Sequence, residues 1–296
     1  VIRKLATSAA LVALAGLQLA FMPGRAQAAQ QFDVISVNIS GDELAGDSSA
    51  LASLNNQITS ATDAVVVVES CRSQFEAFKA GHQNWSTHFW SEGTRSTCQN
   101  GPYAGELVSF IASRNPMSNL TTTDMTDGAA GRNIGMPCAD VGGFNVTLCA
   151  VHLIAGGDER KGDRKTQIGE LNDALRAKWN AQPVVVAGDF NTTPDSGEMN
   201  DMYRLTKSGT FQGAGQFHEA DMTDPANPST KPSTVTCNSA QSACRWGQTT
   251  RAGGVNKIDY IFFNRQFTSI GSLTASTFAQ GANQDHRGVK GSAMIG

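Results

Sequence analysis

Residues 65–68 are four consecutive valines that run without a break into Glu69. An extended segment that is β-branched on both faces needs apolar cover above and below, so this strand belongs inside a layered domain. Five further segments read as strands: residues 32–38, 106–111, 144–151 (running into His152), 184–187 and 258–263. Helical spacing lies between them. Leu51, Leu54 and Ile58 follow the capping candidates Asp47, Ser48 and Ser49, and Gln167, Ile168, Leu171, Leu175 and Trp179 mark a long amphipathic helix. This alternation predicts one α/β domain. With 40% apolar and 17% charged residues, the chain falls outside the disordered, collagenous and coiled-coil classes. Nothing repeats. The Pro/Ser/Thr-rich stretch 224–236 reads as a long surface loop, too near the C-terminus to leave a second domain behind it.

The N-terminus carries an export pattern. Arg3 and Lys4 precede an uncharged apolar run at residues 5–21, and Ala26, Gln27 and Ala28 fit a small-x-small cleavage site. This predicts a secretory signal peptide over residues 1–28, a domain over 29–296 and a secreted, extracellular product. As a retained anchor the run is short, and Thr7, Ser8, Gly16 and Gln18 dilute it. No stable membrane insertion is therefore expected. Val1 reads as an alternative start codon translated literally. Cys71, Cys98, Cys138, Cys149, Cys237 and Cys244 form an even set, as expected in an oxidising compartment. Six cysteines allow fifteen pairings. A nearest-neighbour scheme would join Cys138 to Cys149 across the turn signal Asp140-Val141-Gly142-Gly143, Cys237 to Cys244, and Cys71 to Cys98. Their spacing does not suit a metal site.

Polar residues recur where a core does not need them. Asn38, Glu69, His152, Asp189 with Asn191, and Asp259 all lie in or at the end of predicted strands, and Asp285-His286 follows near the C-terminus. Singly, each is an ordinary cap or turn residue. Strands of a layered α/β domain deliver their ends to a shared edge, so repetition argues that these groups converge. Such a set suits metal-assisted transfer of a phosphoryl group to water. A hard cation, Mg²⁺ with Mn²⁺ or Ca²⁺ as alternatives, takes oxygen ligands from a few protein groups, water and phosphate. Glu69 is the strongest ligand candidate, because an acid closing an all-valine strand needs compensation. Asn38 and Asn191 donate or accept without adding charge. His152 and His286 stabilise or protonate oxygens, and Asp259 could hold an imidazole in one tautomer.

Asn38, Glu69, His152-Leu153, Gly188-Asp189-Phe190-Asn191, Ile258-Asp259-Tyr260 and Asp285-His286 stand in the order and context of one family. The chain resembles the endonuclease/exonuclease/phosphatase superfamily, the deoxyribonuclease-like fold, over nearly all of residues 29–296. The resemblance implies a four-layer α/β sandwich, with two packed mixed β-sheets flanked by helices and a catalytic site on one edge. It implies that Glu69 binds metal with Asn38 and Asp285, and that Asp189 and Asn191 orient the water and the phosphate. It also implies that Asp259 and His286 act as a pair, and that His152 contacts the phosphate or assists the leaving group. Arg132 resembles a phosphate-binding Arg, and Tyr103 a Tyr that touches the scissile phosphate. Three positions depart from the pattern: Val68 stands where Gln is frequent, Gln284 where Ser is usual, and Glu106 where a neutral residue is common. Glu106 either orients His152 or sits on the surface.

The substrate is the open question. A secreted nuclease is the first expectation, acting on DNA or RNA as a monomer. Arg72, Arg95, Arg114 and Arg132 near site strands support it, with Arg72 and Arg132 as substrate-binding candidates. The net charge is −3, and removing Arg3, Lys4 and Arg25 leaves 20 basic against 26 acidic residues, or −6. No global basic field draws in a polyanion, although a bound cation and local Arg residues can do so. A sphingomyelinase-like phospholipase C is the alternative, with Trp85, Phe89 and Trp90 dipping into headgroups, although such a cluster more often belongs to a strand that packs one face inward; a phosphomonoesterase is a third. A non-catalytic binding subunit would have lost ligands, and every expected ligand is present.

Overall fold

The computed structural model describes residues 28–41, 48–98, 105–126, 133–205, 213–222, 245, 247–252, 254, 256–281 and 284–296. The leader up to residue 27, Tyr103, Arg132, Cys237, Cys244 and the 224–236 stretch lie outside the described residues. In chain order the elements are β1 (Gln30–Asn38), α1 (Ser48–Gln57), β2 (Ala64–Cys71), α2 (Arg72–Gly81), β3 (Ser86–Thr94), β4 (Glu106–Ser113), β5 (Met117–Met125) and β6 (Ile134–Val141). Then follow β7 (Val146–His152), α3 (Lys161–Trp179), β8 (Val184–Asp189), β9 (Phe217–Glu219), β10 (Asp259–Asn264), β11 (Thr274–Ala279) and β12 (Arg287–Ile295). Two six-stranded sheets result, ordered β11-β12-β1-β2-β4-β3 and β5-β6-β7-β8-β10-β9. Both are mixed. The parallel neighbours are β1 with β2 and β7 with β8.

The valine run shows why the layers form. Alternate side chains of a strand leave on opposite faces. Val65 and Val67 pack toward Leu54, Phe75 and Phe78 of α1 and α2, while Ala64 and Val66 face the second sheet. All four valines are fully buried, and each such side chain stabilises the fold by about 1.5–3 kcal/mol. On the far side, Ile168, Leu171, Leu175 and Trp179 of α3 close over the second sheet. The order helix, sheet, sheet, helix is the four-layer sandwich.

Cysteine pairing follows the sheet. Cys138 and Cys149 are register partners on β6 and β7 and are joined by a disulfide. Cys71, the last residue of β2, is joined to Cys98. No described cysteine is free. The aromatic stretch after α2 is half-buried against its neighbours. Trp85 packs edge-on against Phe78, Phe89 packs against Phe75, and the Trp90 indole lies against Gly135 while its Nε1–H donates to the Asn133 carbonyl at 3.1 Å. Among the described residues, no helix is long and apolar enough to cross a membrane.

One buried histidine is expected to make the fold acid-sensitive. His218 on β9 is only 8% exposed, and burial, with Arg265 and Arg204 nearby, pushes its pKa down to about 4. The unfolded chain takes up this proton near pH 6.5 and the folded one does not. Stability is therefore lost as pH falls from about 6.5 toward 4, by on the order of 2–3 kcal/mol. His218→Gln is expected to flatten the thermal-unfolding midpoint against pH in that window. An unchanged pH slope would assign the acid sensitivity elsewhere.

Candidate active site

Both sheets bring side chains to one edge. On the second sheet His152, Asp189 and Asp259 are register partners in a single row, His152 opposite Asp189 and Asp189 opposite Asp259. The first sheet supplies Asn38 from the end of β1, Glu69 from β2 and His286 from the residue before β12. The Gly188-Asp189-Phe190-Asn191 element has a physical reason at each position. A Cβ at Gly188 would collide with the Val151 carbonyl, so β7 and β8 approach this closely only with glycine there. Phe190 is fully buried and packs edge-on against Tyr260. Asn191 turns back at φ +50°, and its Nδ2 donates to the Leu153 carbonyl at 2.8 Å.

Two irregularities aim the acids. The register of β2 on β4 shifts between Val67 and Ser70, so Val68 and Glu69 together oppose Ser109, with Glu69 at φ +51°. The register of β3 on β4 shifts between Ser91 and Gly93, leaving Glu92 unpaired. A bulge redirects the side chain it carries. Both carboxylates turn toward one imidazole: Glu92 Oε2 lies 3.0 Å from His152 Nδ1, and Glu69 Oε1 lies 3.2 Å from Nε2. The second approach is too bent for a good hydrogen bond. Ser109 Oγ–H donates to the other oxygen of Glu92.

Two more contacts cross between the sheets. Asn38 Nδ2–H donates to Asp189 Oδ2 at 3.0 Å, and the second Asp189 oxygen accepts the Asn191 backbone N–H at 2.7 Å. His286 Nδ1 bridges both oxygens of Asp259 at 3.0 and 3.1 Å, leaving Nε2 3.7 Å from Asp189 Oδ2 and from Asp285 Oδ2. The groups are stacked two deep. Glu69, Asp189, Asn191, Asp285 and His286 line a cavity of about 560 Å³. His152 stands behind Glu69, Asn38 behind Asp189, and Asp259 behind His286.

Electrostatics divide the front groups by charge. Burial alone would raise the Glu69 pKa, but the His152 imidazolium and the His286 charge hold it down at about 2. Burial and the neighbouring Asp259 carboxylate push Asp189 up to about 6. Against burial, Asp259 and Asp189 raise His286 to about 10. His152 is likewise held well above the ordinary imidazole range, burial being outweighed by Glu92 and Glu69. At neutral pH the cavity thus presents ionised Glu69, a carboxylate near its titration point and an imidazolium.

The all-oxygen pair Glu69 and Asp285 suits a hard divalent cation that keeps several waters. Asp285 is steadied by Ser40, whose hydroxyl donates to Oδ1 at 2.7 Å. Asn38 is held by hydrogen bonds on both sides of its amide. Its Oδ1 accepts the Ser40 backbone N–H at 2.9 Å and its amide N–H faces Asp189, so it aligns the site from behind. Ligand atoms of Asp189, Asp259 and His286 also lie within 4.8 Å of one another. There the imidazole Nδ1 is already taken by Asp259.

Other expected residues fall in different places. Arg72 is turned away from the cavity: it pairs with Glu76 at 2.7 Å and its guanidinium lies over the Phe89 ring at 3.9 Å. Glu106 lies 3.9 Å from Arg72, and Glu92, not Glu106, orients His152. Arg114 sits at the opposite end of β4, stacked on Trp85. Sequence reasoning missed Glu92. Its signal was an acid followed by Gly93, which takes φ +96°, inside an otherwise aromatic strand. It also missed Arg164. This buried side chain donates to the carbonyls of Gly156 (3.0 Å), Gly157 (3.1 Å) and Ile154 (3.3 Å) and pairs with Glu198 at 3.4 Å. The loops after β7 and β8 are thereby tied together.

A model of the Endonuclease/Exonuclease/phosphatase family matches residues 35–279. The chain belongs to that family, whose members are hydrolases acting on phosphoester bonds. No curated protein sequence matches it. Among solved structures it is similar to the human Nocturnin catalytic domain with bound sulfate, at 14% identity and a TM-score of 0.64, covering 90% of this chain and 95% of that one. TDP2 of D. rerio complexed with single strand DNA product gives 15% identity and 0.58 over 89% and 99% of the two chains. An endonuclease/exonuclease/phosphatase from Beutenbergia cavernae gives 16% and 0.56 over 90% and 72%. At these identities the likeness is one of fold.

Glu92→Gln keeps a polar group beside His152 but removes the charge. It is expected to lower kcat by about 10- to 100-fold with KM little changed, because the imidazolium that holds Glu69 loses half its counter-charge. Wild-type turnover in steady-state assays would detach this pair from the reaction.

Proposed function

We infer that the protein is a secreted, divalent-metal-dependent phosphodiesterase that hydrolyses nucleic acid. One observation carries the reading: Glu69, Asp189 and His286 share one cavity wall, each backed by a partner from the opposite sheet. Glu69 and Asp285 would hold the metal, which supplies charge neutralisation at the phosphate oxygens. Asp189, with its pKa near 6, is suited to take a proton from the attacking water, and Asn38 and Asn191 fix its two oxygens. His286 is suited to stabilise negative charge on the phosphate, its other ring nitrogen held by Asp259. His152 serves by positioning Glu69. The leader pattern and the two disulfides support an oxidising destination.

Nucleic acid is favoured over lipid because Trp85, Phe89 and Trp90 are half-buried and each is held against other residues of the chain, and Leu120 is the one large apolar side chain that stands exposed among the described residues. The test is a substrate panel of plasmid DNA, single-stranded DNA, RNA, sphingomyelin and phosphatidylinositol, with Mg²⁺, Mn²⁺ or Ca²⁺ and with a chelator. Metal-dependent strand cleavage is expected. Lipid hydrolysis without nicking of plasmid would overturn the nuclease reading.

Glu69→Ala and His286→Ala are each expected to reduce turnover by at least roughly 10²-fold, with circular dichroism showing the fold retained. Near-wild-type activity in either variant removes that residue from its role.

A further inference from the structure

The cavity carries a cation that the reading above does not use. Its lining includes Lys161, Arg164, Arg251 and His286. Three of these have partners within the protein: Lys161 pairs with Asp158 at 2.9 Å on the surface, Arg164 with Glu198 and three carbonyls, and His286 with Asp259. Arg251 has no side-chain partner among the described residues, and it is exposed. The same wall holds Glu69, Asp189 and Asp285, so without a free cation it would repel a polyanion outside the metal's reach.

Its position is fixed by backbone. Arg251 forms an antiparallel bridge with His286. On either side of that bridge, Arg287 N–H donates to the Thr250 carbonyl at 2.5 Å and Ala252 N–H to the Asp285 carbonyl at 2.6 Å. Thr250 Oγ1 in turn accepts the N–H groups of Ile258 and Asp259 at 2.9 and 3.0 Å. Residues directly opposite each other in an antiparallel pair send their side chains to the same face. Arg251 therefore leaves the backbone beside the imidazole and toward the same cavity. Being longer, it reaches past the imidazole toward the rim.

We propose that Arg251 binds a phosphate next to the scissile one, making the site selective for a phosphodiester chain over an isolated diester. This rests on the nuclease reading and names a specificity determinant within it. A guanidinium forks onto two phosphate oxygens at once, which a solvated lysine does less well.

The test compares wild type, Arg251→Ala and Arg251→Lys on a short oligothymidylate and on bis(p-nitrophenyl) phosphate, with Mg²⁺, over a range of salt. Arg251→Ala is expected to lower kcat/KM on the oligonucleotide about tenfold, several times more than on the small diester. Its plot of log kcat/KM against log salt should be shallower by about 0.7, the share of one single-strand phosphate. Arg251→Lys should keep the wild-type slope. Thermal unfolding of each variant checks the fold. Equal losses on both substrates, or a wild-type slope in Arg251→Ala, would overturn the assignment. A wild type that hydrolyses the diester but no nucleic acid would instead sink the nuclease reading and, with it, this one.

Discussion

Each face-to-face contact at this edge joins one sheet to the other: Glu69 and Glu92 to His152, Asn38 to Asp189, His286 to Asp259. None is completed within a single sheet. The charges involved are buried, and removing one partner from such a pair leaves the other uncompensated at about 3–5 kcal/mol. The apolar interior would tolerate some sliding of one sheet over the other, whereas these paired charges do not. The alignment of the sandwich and the assembly of the site are thus one event.

Two carboxylates reach their partner only because both neighbours of β4 break register, β2 opposite Ser109 and β3 between the partners of Val108 and Leu107. Regular strands would send these side chains along the ordinary alternation of the sheets. Holding Glu69 at φ +51° costs on the order of 1–3 kcal/mol, and such strain persists only where the surroundings enforce it. Here the Gly41 N–H grips the Glu69 carbonyl at 2.7 Å, and Cys71, two residues on, is tied down by its disulfide.

How much of this was legible depended on how each element is buried. Central strands β2, β7, β8 and β10 announce themselves by runs of Val, Ile, Leu and Phe, because both of their faces are covered. The polar residues that end them stood out for the same reason. Three of the four sheet edges, β5, β9 and β11, were not read, and neither was β12, an inner strand broken by Gly288, Lys290 and Gly291. Thr121, Thr122, Thr123 and Asp124 of β5, or Thr274 and Ser276 of β11, resemble loop residues, since an edge strand with one wet face needs no apolar run. Glu92 lies just past the aromatic part of β3, where the pattern gave no sign. A bulge is a relation between two strands, and only the alignment of β3 on β4 shows that Glu92 faces His152. Arg72 misled for the opposite reason: proximity to Glu69 in the chain says nothing about direction, and the start of α2 turns its guanidinium onto Phe89.

The row His152, Asp189, Asp259 runs straight across three neighbouring strands. A slip of β8 by one residue would carry Asp189 to the opposite side of its sheet and leave a hole between two intact neighbours. Turnover in this protein is therefore a gauge of strand alignment. A molecule that has collapsed, gained its secondary structure and formed its cross-links, yet paired these strands one step out of place, would look folded to most probes and be silent as a catalyst.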